Sequence, residues 1–470
     1  MYPVLKDSLV RGSANDFYLQ NYKKGKEFAL GKEQAEILWY CNGEHTIEWL
    51  SRKFSQPEED LTVFLKVVEK ADLLELCQER SKKDFPPLCK NPFLQDVQIE
   101  LTGRCNLLCK HCYGKKAFHE ASKNELTNDE LCDFFEQMRD LNVSKCFLSG
   151  GESFLRKDLP ELIVNLAKNY IFIGGIFTNG TIFRPDVFDA IIQVGMKPIF
   201  LVSLDGPNSE IHDFIRGDGQ FKKTVSFIKK TVDKGFRVTV NTVVMKPNVK
   251  WLISMRNFLE DLGIFRWRLS VPREQGETIR NKLSVVPDWS DILDSYKSLL
   301  SDILDKPCLM RVQLSSIFKT EYLEAGVYYL YHDDSCCCEY KRWSLTLTAN
   351  GKLISCPTAL GLPLGDIRQT ALSDVWYASP TQALKTLPLS KTDCFDCEIR
   401  RYCGGGCRIM AWKIHNNILA KDDNACPLYD FFCRVIKPVF ELNGIEPRLL
   451  NKPISYDYDI KILNNLFLNK

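Results

Sequence analysis

The stretch Cys105-Asn106-Leu107-Leu108-Cys109-Lys110-His111-Cys112 places three cysteines within eight residues, with no fourth nearby. A tetrahedral zinc site or a four-iron cluster normally takes four protein ligands. If these three thiols hold an iron–sulfur cube, one iron keeps an open position that a substrate or cofactor can fill. The alternative is a zinc site that borrows a distant fourth ligand.

Short β-rich runs alternate with helical stretches after residue 95. The pattern predicts six strands, over residues 97–101, 146–148, 172–177, 199–204, 238–244 and 265–270. Helices are expected between them, including 127–141, which opens with a Thr-x-x-Glu capping box, and 221–234, which stops before a glycine. Six βα units predict an α/β fold with a parallel sheet, either open or part of a barrel.

Polar or glycine-rich segments follow the first four predicted strands. The three-cysteine loop follows the first, and the next three are followed by Ser149-Gly150-Gly151-Glu152, Thr178-Asn179-Gly180 and Ser203-Leu204-Asp205-Gly206. The carboxyl ends of parallel strands meet at one edge of the sheet, where α/β enzymes carry their chemistry. Each glycine pair alone would fit a tight turn, but four such strand ends together predict a shared site.

The overall composition is that of an ordinary globular protein. Its high number of cysteines favours metal or redox chemistry. The 470 residues are 45% hydrophobic, and 62 Lys and Arg nearly balance 60 Asp and Glu, so no net field favours nucleic acid or an anionic membrane. The amino terminus lacks the apolar core of a signal peptide, and no apolar run is long enough to cross a bilayer. We expect a cytoplasmic protein, in which 19 cysteines suit metal binding better than disulfides.

Residues 1–85 predict a small winged-helix-like module. A hairpin is expected about the turn Lys23-Lys24-Gly25-Lys26, followed by helices over 32–41, 47–54 and 58–76. Winged helices often bind DNA, but this module carries 13 Lys and Arg against 15 Asp and Glu, so it has no basic excess for phosphates. The proline-marked stretch 82–88 predicts a linker to the sheet.

Cysteines return after residue 335, at Cys336, Cys337, Cys338, Cys356, Cys394, Cys397, Cys403, Cys407, Cys426 and Cys433. A hairpin about Asn350-Gly351 is expected to place Cys356 at a strand end. The glycines at 404–406 would let the backbone approach a bulky inorganic group. A zinc knuckle over residues 394–407 is the alternative.

The spacing Cys-x3-Cys-x2-Cys, followed by a Gly-Gly-Glu strand end, resembles the radical S-adenosylmethionine (SAM) superfamily. Residues 95 to about 275 resemble the partial (β/α)6 barrel of that family. The resemblance implies a [4Fe–4S] cube on Cys105, Cys109 and Cys112, with SAM chelated to its open iron. It also implies that an electron from the cube splits SAM into methionine and a 5′-deoxyadenosyl radical.

The same resemblance implies a set of SAM contacts. Gly150, Gly151 and Glu152 would bind the methionine ammonium, for which a carboxylate is electrostatically suited. Ser203 and Arg216 would contact the ribose and the carboxylate. Further contacts with SAM would come from Asn179, Asp205 and Val243.

The carboxyl-terminal cysteines resemble the SPASM domain, which carries two auxiliary [4Fe–4S] clusters and would bring the total to three cubes. The resemblance assigns an outer cluster to Cys394, Cys397, Cys403 and Cys426. It assigns an inner cluster to Cys356, Cys407 and Cys338. The run Cys336-Cys337-Cys338 departs from the family pattern. Either two of its thiols are ligands, such as Cys336 and Cys338, or one iron stays open for a substrate thiolate.

Residues 1–85 resemble the recognition element of enzymes that modify ribosomally synthesised peptides (RiPPs), a domain related to the pyrroloquinoline quinone chaperone. Such domains accept the leader of a precursor peptide as an added strand beside the hairpin. The expected organisation is a recognition element over 1–85, a radical SAM barrel over 95–305, a SPASM domain over 306–440 and a tail over 441–470.

Together the three regions resemble maturases that form sulfur-to-carbon thioethers in ribosomal peptides, the subtilosin-type group most of all. The resemblance implies hydrogen-atom abstraction from a precursor peptide and an external electron donor such as a flavodoxin or ferredoxin. Carbon–carbon or carbon–oxygen crosslinking stays open, as does α-carbon epimerisation, for which Cys146, Cys308 or Cys433 could return a hydrogen atom. A non-enzymatic alternative is an iron–sulfur redox sensor that binds DNA, which would leave the Gly-Gly-Glu segment without a role.

Overall fold

The computed structural model describes residues 1–13, 16–88, 92–332, 335 and 342–449 of the chain. An amino-terminal module of strands and helices comes first. Its elements are β1 (Tyr2–Leu5), β2 (Ser8–Ser13), β3 (Asp16–Asn21), β4 (Lys26–Leu30), α1 (Lys32–Trp39), α2 (Ile47–Phe54), α3 (Glu58–Lys70) and β5 (Leu74–Cys77). Strands β2, β3 and β4 form an antiparallel sheet with β4 at one edge, and β1 pairs with β5.

The module has the predicted hairpin and helices, with one exception at its end. The sequence predicts a third helix as far as residue 76, which is wrong because α3 ends at Lys70. Asp72 takes a left-handed φ of 60° and turns the chain into β5. Leu74 and Leu76 fit a strand as well as the end of a helix, and pairing with β1 selects the strand.

The second part contains all six strands predicted after residue 95. Its strands are β6 (Asp96–Glu100), β7 (Lys145–Ser149), β8 (Phe172–Thr178), β9 (Ile199–Ser203), β10 (Val238–Val243), β11 (Arg266–Ser270), β12 (Arg311–Leu314) and β13 (Phe318–Lys319). From β6 to β12 each strand pairs in parallel with the next, and β13 returns antiparallel. The sequence pattern misses β12, because its four residues are too few to show a period.

Helices connect these strands, and several of them pack against the sheet in the main hydrophobic core. They are α4 (Lys115–Ala121), α5 (Asn128–Asp140), α6 (Leu159–Lys168), α7 (Pro185–Gln193), α8 (Ser209–Arg216), α9 (Gln220–Asp233), α10 (Leu252–Asp261), α11 (Glu277–Arg280), α12 (Lys282–Val285), α13 (Trp289–Asp305) and α14 (Thr320–Ala325). The predicted capping box is present, since Thr127 and Glu130 each accept a hydrogen bond from the other's backbone amide. Alternate strand residues, such as Val97 and Ile99 of β6, enter the main hydrophobic core.

The third part carries the later cysteines. Its elements are β14 (Val327–Leu330), β15 (Ser344–Leu347), β16 (Lys352–Ile354), β17 (Gly365–Asp366), α15 (Leu372–Tyr377), α16 (Ser379–Lys385), α17 (Arg400–Cys403), α18 (Arg408–His415), α19 (Ala425–Phe431), a π-helical turn (Phe432–Ile436), α20 (Lys437–Leu442) and β18 (Glu446–Leu449). Strand β18 pairs with β14, so the predicted tail contributes a strand before residue 450.

One sheet, here called the barrel sheet, joins the second and third parts. The predicted hairpin is formed by β15 and β16, and β15 also pairs in parallel with β6. The strand order is β13-β12-β11-β10-β9-β8-β7-β6-β15-β16-β17, and among the described strands the sheet does not close. This arrangement confirms the predicted α/β class. Across the described residues, no helix combines the length and apolar character needed to span a membrane.

The amino-terminal module packs against the amino-terminal ends of β7 and β8. Arg11 of β2 is fully buried and donates hydrogen bonds to the Asn142 side chain and the Tyr170 carbonyl. Asn142 donates in return to the backbone of β2 at 3.1 Å. At the β3–β4 turn, a Cβ on Gly25 would lie 2.4 Å from the ring of Phe172, the first residue of β8. The turn therefore lies at the end of the sheet opposite the cysteine loop.

Arg11→Ala should weaken this contact. Without the guanidinium, the Asn142 and Tyr170 oxygens lose a donor in a buried setting, which costs roughly 1–3 kcal/mol for each group. We expect the free energy of unfolding to fall by about 3 kcal/mol in denaturant titration. The control is Arg52→Ala, which removes an exposed ion pair with Glu48 and should change stability by less than about 0.5 kcal/mol. Equal stability of the two variants would contradict a structural role for Arg11.

Candidate active site at the carboxyl ends of the barrel strands

Cys105, Cys109 and Cys112 lie in the loop that leaves the carboxyl end of β6, here called the cysteine loop. The Cys112 amide donates to the Cys109 carbonyl at 3.2 Å, and the Lys110 amide donates to the Ile215 carbonyl at 3.0 Å. All three cysteines are free thiols. Burial raises the pKa of each, that of Cys105 to about 11, so a positive metal centre is needed to hold them as thiolates.

A zinc ion and an iron–sulfur cube place different demands on the three thiols. Across the described residues, no three His, Cys, Asp or Glu side chains converge as the ligands of one metal ion would. A zinc ion draws its sulfur ligands to about 2.3 Å from one point. A cube instead binds each thiolate through a different iron, so its ligands stay apart.

The Gly-Gly-Glu segment after β7 is bonded directly to the cysteine loop. The Gly151 amide donates to the Thr102 carbonyl and the Glu152 amide to the Arg104 carbonyl, both at 2.8 Å. A Cβ on Gly150 would lie 2.4 Å from the Thr102 carbonyl oxygen, and one on Gly151 would lie 2.3 Å from that of Arg104. Glycine is required at both positions because backbone approaches backbone this closely.

Glu152 is buried and joins the carboxyl ends of β7 and β8. Its carboxylate accepts hydrogen bonds from the Thr178 hydroxyl at 2.8 Å, the Asn179 amide at 2.7 Å and the Phe154 amide at 3.1 Å. Burial raises the pKa of Glu152, while these three donors favour its ionised form. The structure thus fixes the carboxylate beside the cysteine loop, where binding of the SAM ammonium stays a prediction.

The Asn179 side chain lies next to the first cysteine of the loop. Its amide nitrogen donates to the Asn106 side-chain oxygen at 2.9 Å and lies 4.0 Å from the Cys105 sulfur. Thr181 donates to the Asn179 side-chain oxygen at 2.6 Å and so fixes its orientation. The structure therefore places Asn179 beside the cysteine loop. Its contact with SAM stays a prediction.

Arg216, Asp205 and Val243 form a buried network behind the cysteine loop. Arg216 Nε donates to Asp205 at 2.6 Å, and its Nη1 lies 3.8 Å from the Cys109 sulfur. The Val243 amide donates to the other oxygen of Asp205 at 3.0 Å. Burial opposes ionisation of Asp205, but the Arg216 charge holds its pKa below the usual range. Asp205 is fully buried, so its geometry favours positioning Arg216 over direct contact with a ligand.

The segment after β11 closes on the cysteine loop, which the sequence pattern did not indicate. The Glu277 amide donates to the Cys112 carbonyl at 2.9 Å, and the Thr278 hydroxyl donates to the His111 carbonyl at 3.1 Å. A Cβ on Gly276 would lie 2.5 Å from the Cys112 carbonyl oxygen. The signal for this contact was weak, because Gly276 is a single glycine outside any recognised motif.

Ser203 ends β9 and is half-buried on the inner face of the barrel sheet, opposite Asn241 of β10. Its contact with the ribose of SAM stays a prediction. The structure therefore gathers every predicted residue of the SAM site at one edge of the sheet. These are Cys105, Cys109, Cys112, Gly150, Gly151, Glu152, Asn179, Ser203, Asp205, Arg216 and Val243.

The four cysteines assigned to the outer auxiliary cluster lie close together. Burial raises the pKa of Cys403, and the charges of Cys394 and Cys426 raise it further. Burial likewise raises the pKa of Cys426, with contributions from Cys394 and Cys397. The Cys397 amide also donates to the Cys394 carbonyl at 3.1 Å. The structure therefore brings together the four cysteines that the resemblance assigns to the outer cluster, and their binding of a cluster stays a prediction.

Cys356 and Cys407, assigned to the inner cluster, share a small hydrophobic core. Both lie near Lys413, where burial lowers the pKa to about 8 and the two thiols act against that shift. The Cys407 amide donates to Asp422 at 2.7 Å. Cys336 and Cys338, the other predicted ligands, lie outside the described residues.

Comparisons with known proteins agree with this geometry. The model of the radical SAM superfamily matches residues 99–259, and that of SPASM, an iron–sulfur cluster-binding domain, matches residues 337–398. PqqA peptide cyclase of Rhizobium meliloti is 26% identical over 69% of this chain and 84% of its own length. AdoMet-dependent heme synthase of Methanosarcina barkeri is 27% identical over 69% and 94%. The subtilosin biosynthesis protein AlbA of Bacillus subtilis is 30% identical over 50% and 54%.

A solved structure extends the likeness to nearly the whole chain. Streptococcus suis SuiB bound to precursor peptide SuiA has a TM-score of 0.64 and 17% identity, and the match covers 90% of this chain and 99% of SuiB. At this identity the match supports the fold alone. The two family models, read with the cysteine loop and the Gly-Gly-Glu contacts, settle the class of protein. The chain is a radical SAM enzyme with a SPASM iron–sulfur domain, and its cofactors are SAM and [4Fe–4S] clusters.

Proposed function

We propose that this enzyme matures a ribosomally made precursor peptide by joining a cysteine sulfur to a carbon atom. The observation that carries the peptide substrate is the amino-terminal module, whose sheet ends in the open edge strand β4. Two relatives named above, a peptide cyclase and a subtilosin biosynthesis protein, support a peptide substrate, and the second supports a thioether.

The module offers an apolar surface as well as a strand edge. Val63 and Val67 lie one helical turn apart on α3 and are 64% and 62% exposed, and Phe28 on β4 is 42% exposed. A leader peptide could add backbone hydrogen bonds along β4 and place apolar side chains on these residues. We therefore propose residues 1–85 as the leader-binding recognition element.

The hydrogen atom, the proton and the electron released in thioether formation can all be accounted for with the cofactors of this enzyme. Bound SAM supplies the radical that takes one hydrogen atom from a peptide carbon. The cysteine thiol loses a proton, and closing the carbon–sulfur bond leaves one surplus electron. Auxiliary clusters held by the SPASM cysteines would supply an acceptor for that electron. A flavodoxin or ferredoxin of the cytoplasm is the proposed donor of the electron that starts each cycle.

Mass spectrometry of a co-expressed precursor peptide tests the proposed bond. A thioether removes two hydrogens per link and consumes one thiol, so the product should resist alkylation at that cysteine. Loss of two hydrogens with every thiol still alkylated would replace the proposal by carbon–carbon or carbon–oxygen crosslinking, which the match to a peptide cyclase makes the second candidate. An unchanged mass with deuterium gained at an α-carbon would indicate epimerisation.

Val67→Glu should weaken leader binding, because it places a charge in the exposed apolar surface of α3. Burying that charge against a leader should cost about 1–3 kcal/mol, or roughly 10- to 100-fold in affinity. The measurement is titration of a labelled leader peptide by fluorescence anisotropy. Lys70→Gln is the matched control, since it makes the same helix one charge more negative at an exposed polar position. Equal affinities of the two variants would count against this surface.

A further inference from the structure

The inner face of the barrel sheet is polar near its carboxyl end. Val97 and Ile99 of β6 face the helices, so Gln98 and Glu100 face the opposite side. Gln98 donates to the Ser149 hydroxyl of β7 at 2.9 Å, which confirms that these residues share the inner face. On the strands beyond, the register places Ser203, Asn241, Arg268 and Gln313 side by side.

Glu100 stands out on this face because its carboxylate is buried without a matching donor. Its side chain is 2% exposed, and within the described residues no hydrogen bond of good geometry reaches either oxygen. Burial raises its pKa to about 8, and the nearby Ala349 amide opposes the shift only in part. A buried carboxyl group without partners is costly and suggests that its partner arrives with the substrate.

Tyr113 lies near Glu100 and near cysteines of both predicted cluster sites. This half-buried residue directly follows Cys112, and its pKa is raised first by burial and then by the charges of Glu100, Cys112 and Cys356. A substrate thiol that reaches Glu100 would therefore lie near the last cysteine of the cysteine loop.

We propose that Glu100 accepts the proton of the substrate thiol. The S–H bond breaks and an O–H bond forms at a carboxylate oxygen of Glu100, so the thiol becomes a thiolate and the carboxylate becomes a neutral acid. This assignment rests on the proposed thioether function. A thiol has an ordinary pKa of about 8.5, so transfer to this carboxylate is nearly balanced in free energy, as efficient general base catalysis requires.

Among the described groups around Glu100, no other side chain is suited to accept the proton of the substrate thiol. Strand β7 presents Ser149, the cysteine loop presents Tyr113, and the β15–β16 hairpin presents the Ala349 amide. Among these described neighbours Tyr113 is the titratable one, and its raised pKa keeps the phenol protonated. The positive charge of Arg273 also acts on Tyr113 and opposes part of the rise in its pKa.

Glu100→Gln tests the proposal, since the amide keeps the shape and cannot accept the proton. We expect product formation near neutral pH to fall about 100-fold or more, with iron content, SAM affinity and peptide affinity as in the wild type. Glu120→Gln, at an exposed position of α4, is the control and should keep the wild-type rate. Glu100→Asp should recover part of the loss.

The pH profile separates proton transfer from a structural effect. The wild-type rate should rise as Glu100 ionises and level off above about pH 8. The deficit of Glu100→Gln should shrink above about pH 8.5, where solvent ionises the thiol directly. Infrared difference spectra of wild type minus Glu100→Gln holoenzyme should show a carboxylic acid band that titrates near pH 8.

Three results would overturn the assignment while leaving the proposed function intact. They are a Glu100→Gln enzyme that forms the thioether at the wild-type rate, a deficit that is the same at every pH, and an infrared band that is absent at neutral pH. A wild-type enzyme that forms no thioether would instead refute the proposed function itself.

Discussion

Cys105→Ala should abolish SAM cleavage, whereas Cys397→Ala should retain part of it and lose the peptide product. Cys105 is one of three thiols beside Glu152 and Asn179, so its loss removes a ligand from the cube that binds SAM. Replacing a residue that only hydrogen-bonds to a metal ligand already costs about 10- to 100-fold in metal affinity or activity, so we expect cleavage to fall more than about 100-fold. Cys397 lies with the outer auxiliary set, away from this loop.

The iron content of the two variants shows whether each of them has lost one cluster. The three predicted cubes would give roughly twelve irons per chain, and each variant should fall to about eight. Equal iron losses would then accompany different defects. Cys132→Ala is the control, because that half-buried thiol on α5 is outside every predicted cluster. The assay is anaerobic detection of 5′-deoxyadenosine together with peptide mass. If Cys397→Ala stopped cleavage while Cys105→Ala kept it, the division between the two cluster regions would be wrong.

Gly151→Ala should greatly weaken SAM binding. The new Cβ would lie 2.3 Å from the Arg104 carbonyl oxygen, which is backbone and cannot rotate away. The cysteine loop would have to move at the residue that precedes Cys105, with strain of about 1–3 kcal/mol. We therefore expect SAM affinity to fall by roughly 10- to 100-fold in equilibrium dialysis with the reconstituted enzyme.

The control for this steric effect is Gly31→Ala, whose Cβ would lie 3.6 Å from the flexible Gln34 side chain. That variant should bind SAM like the wild type. The electron paramagnetic resonance signal of the reduced cube should also respond to SAM in the control and lose this response in Gly151→Ala. Unchanged SAM affinity in Gly151→Ala would show that the loop tolerates displacement at Arg104.

Local sequence patterns predict most of the barrel sheet and the contents of its site. Strand periods and strand-end motifs place Cys105, Glu152 and Asn179 at one edge, because parallel strands impose that geometry. The pairing of β15 with β6 could not be predicted, since it joins residues about 250 positions apart and depends on tertiary packing.

Other features of the site escape sequence patterns for related reasons. The burial that raises the pKa of Glu100 comes from several elements at once, including the distant Ala349. The pairing of Asp205 with Arg216 is likewise seen only in the structure, and the SAM contact that the resemblance implies for Asp205 stays a prediction. Cys336 and Cys338 lie outside the described residues, so their assignment still rests on the resemblance alone.

If the amino-terminal module binds the leader as proposed, its docking sets a minimum length for the substrate. Its β3–β4 turn touches the start of β8, whereas the cysteine loop lies beyond the far end of that strand. Seven residues of β8 extend about 23 Å at roughly 3.3 Å per residue. A precursor anchored along β4 would therefore need a tether of at least about seven extended residues before its reactive cysteine. Shorter precursors would bind and dissociate without modification. The enzyme would therefore select its substrate by the number of residues between leader and reactive cysteine as well as by the leader itself.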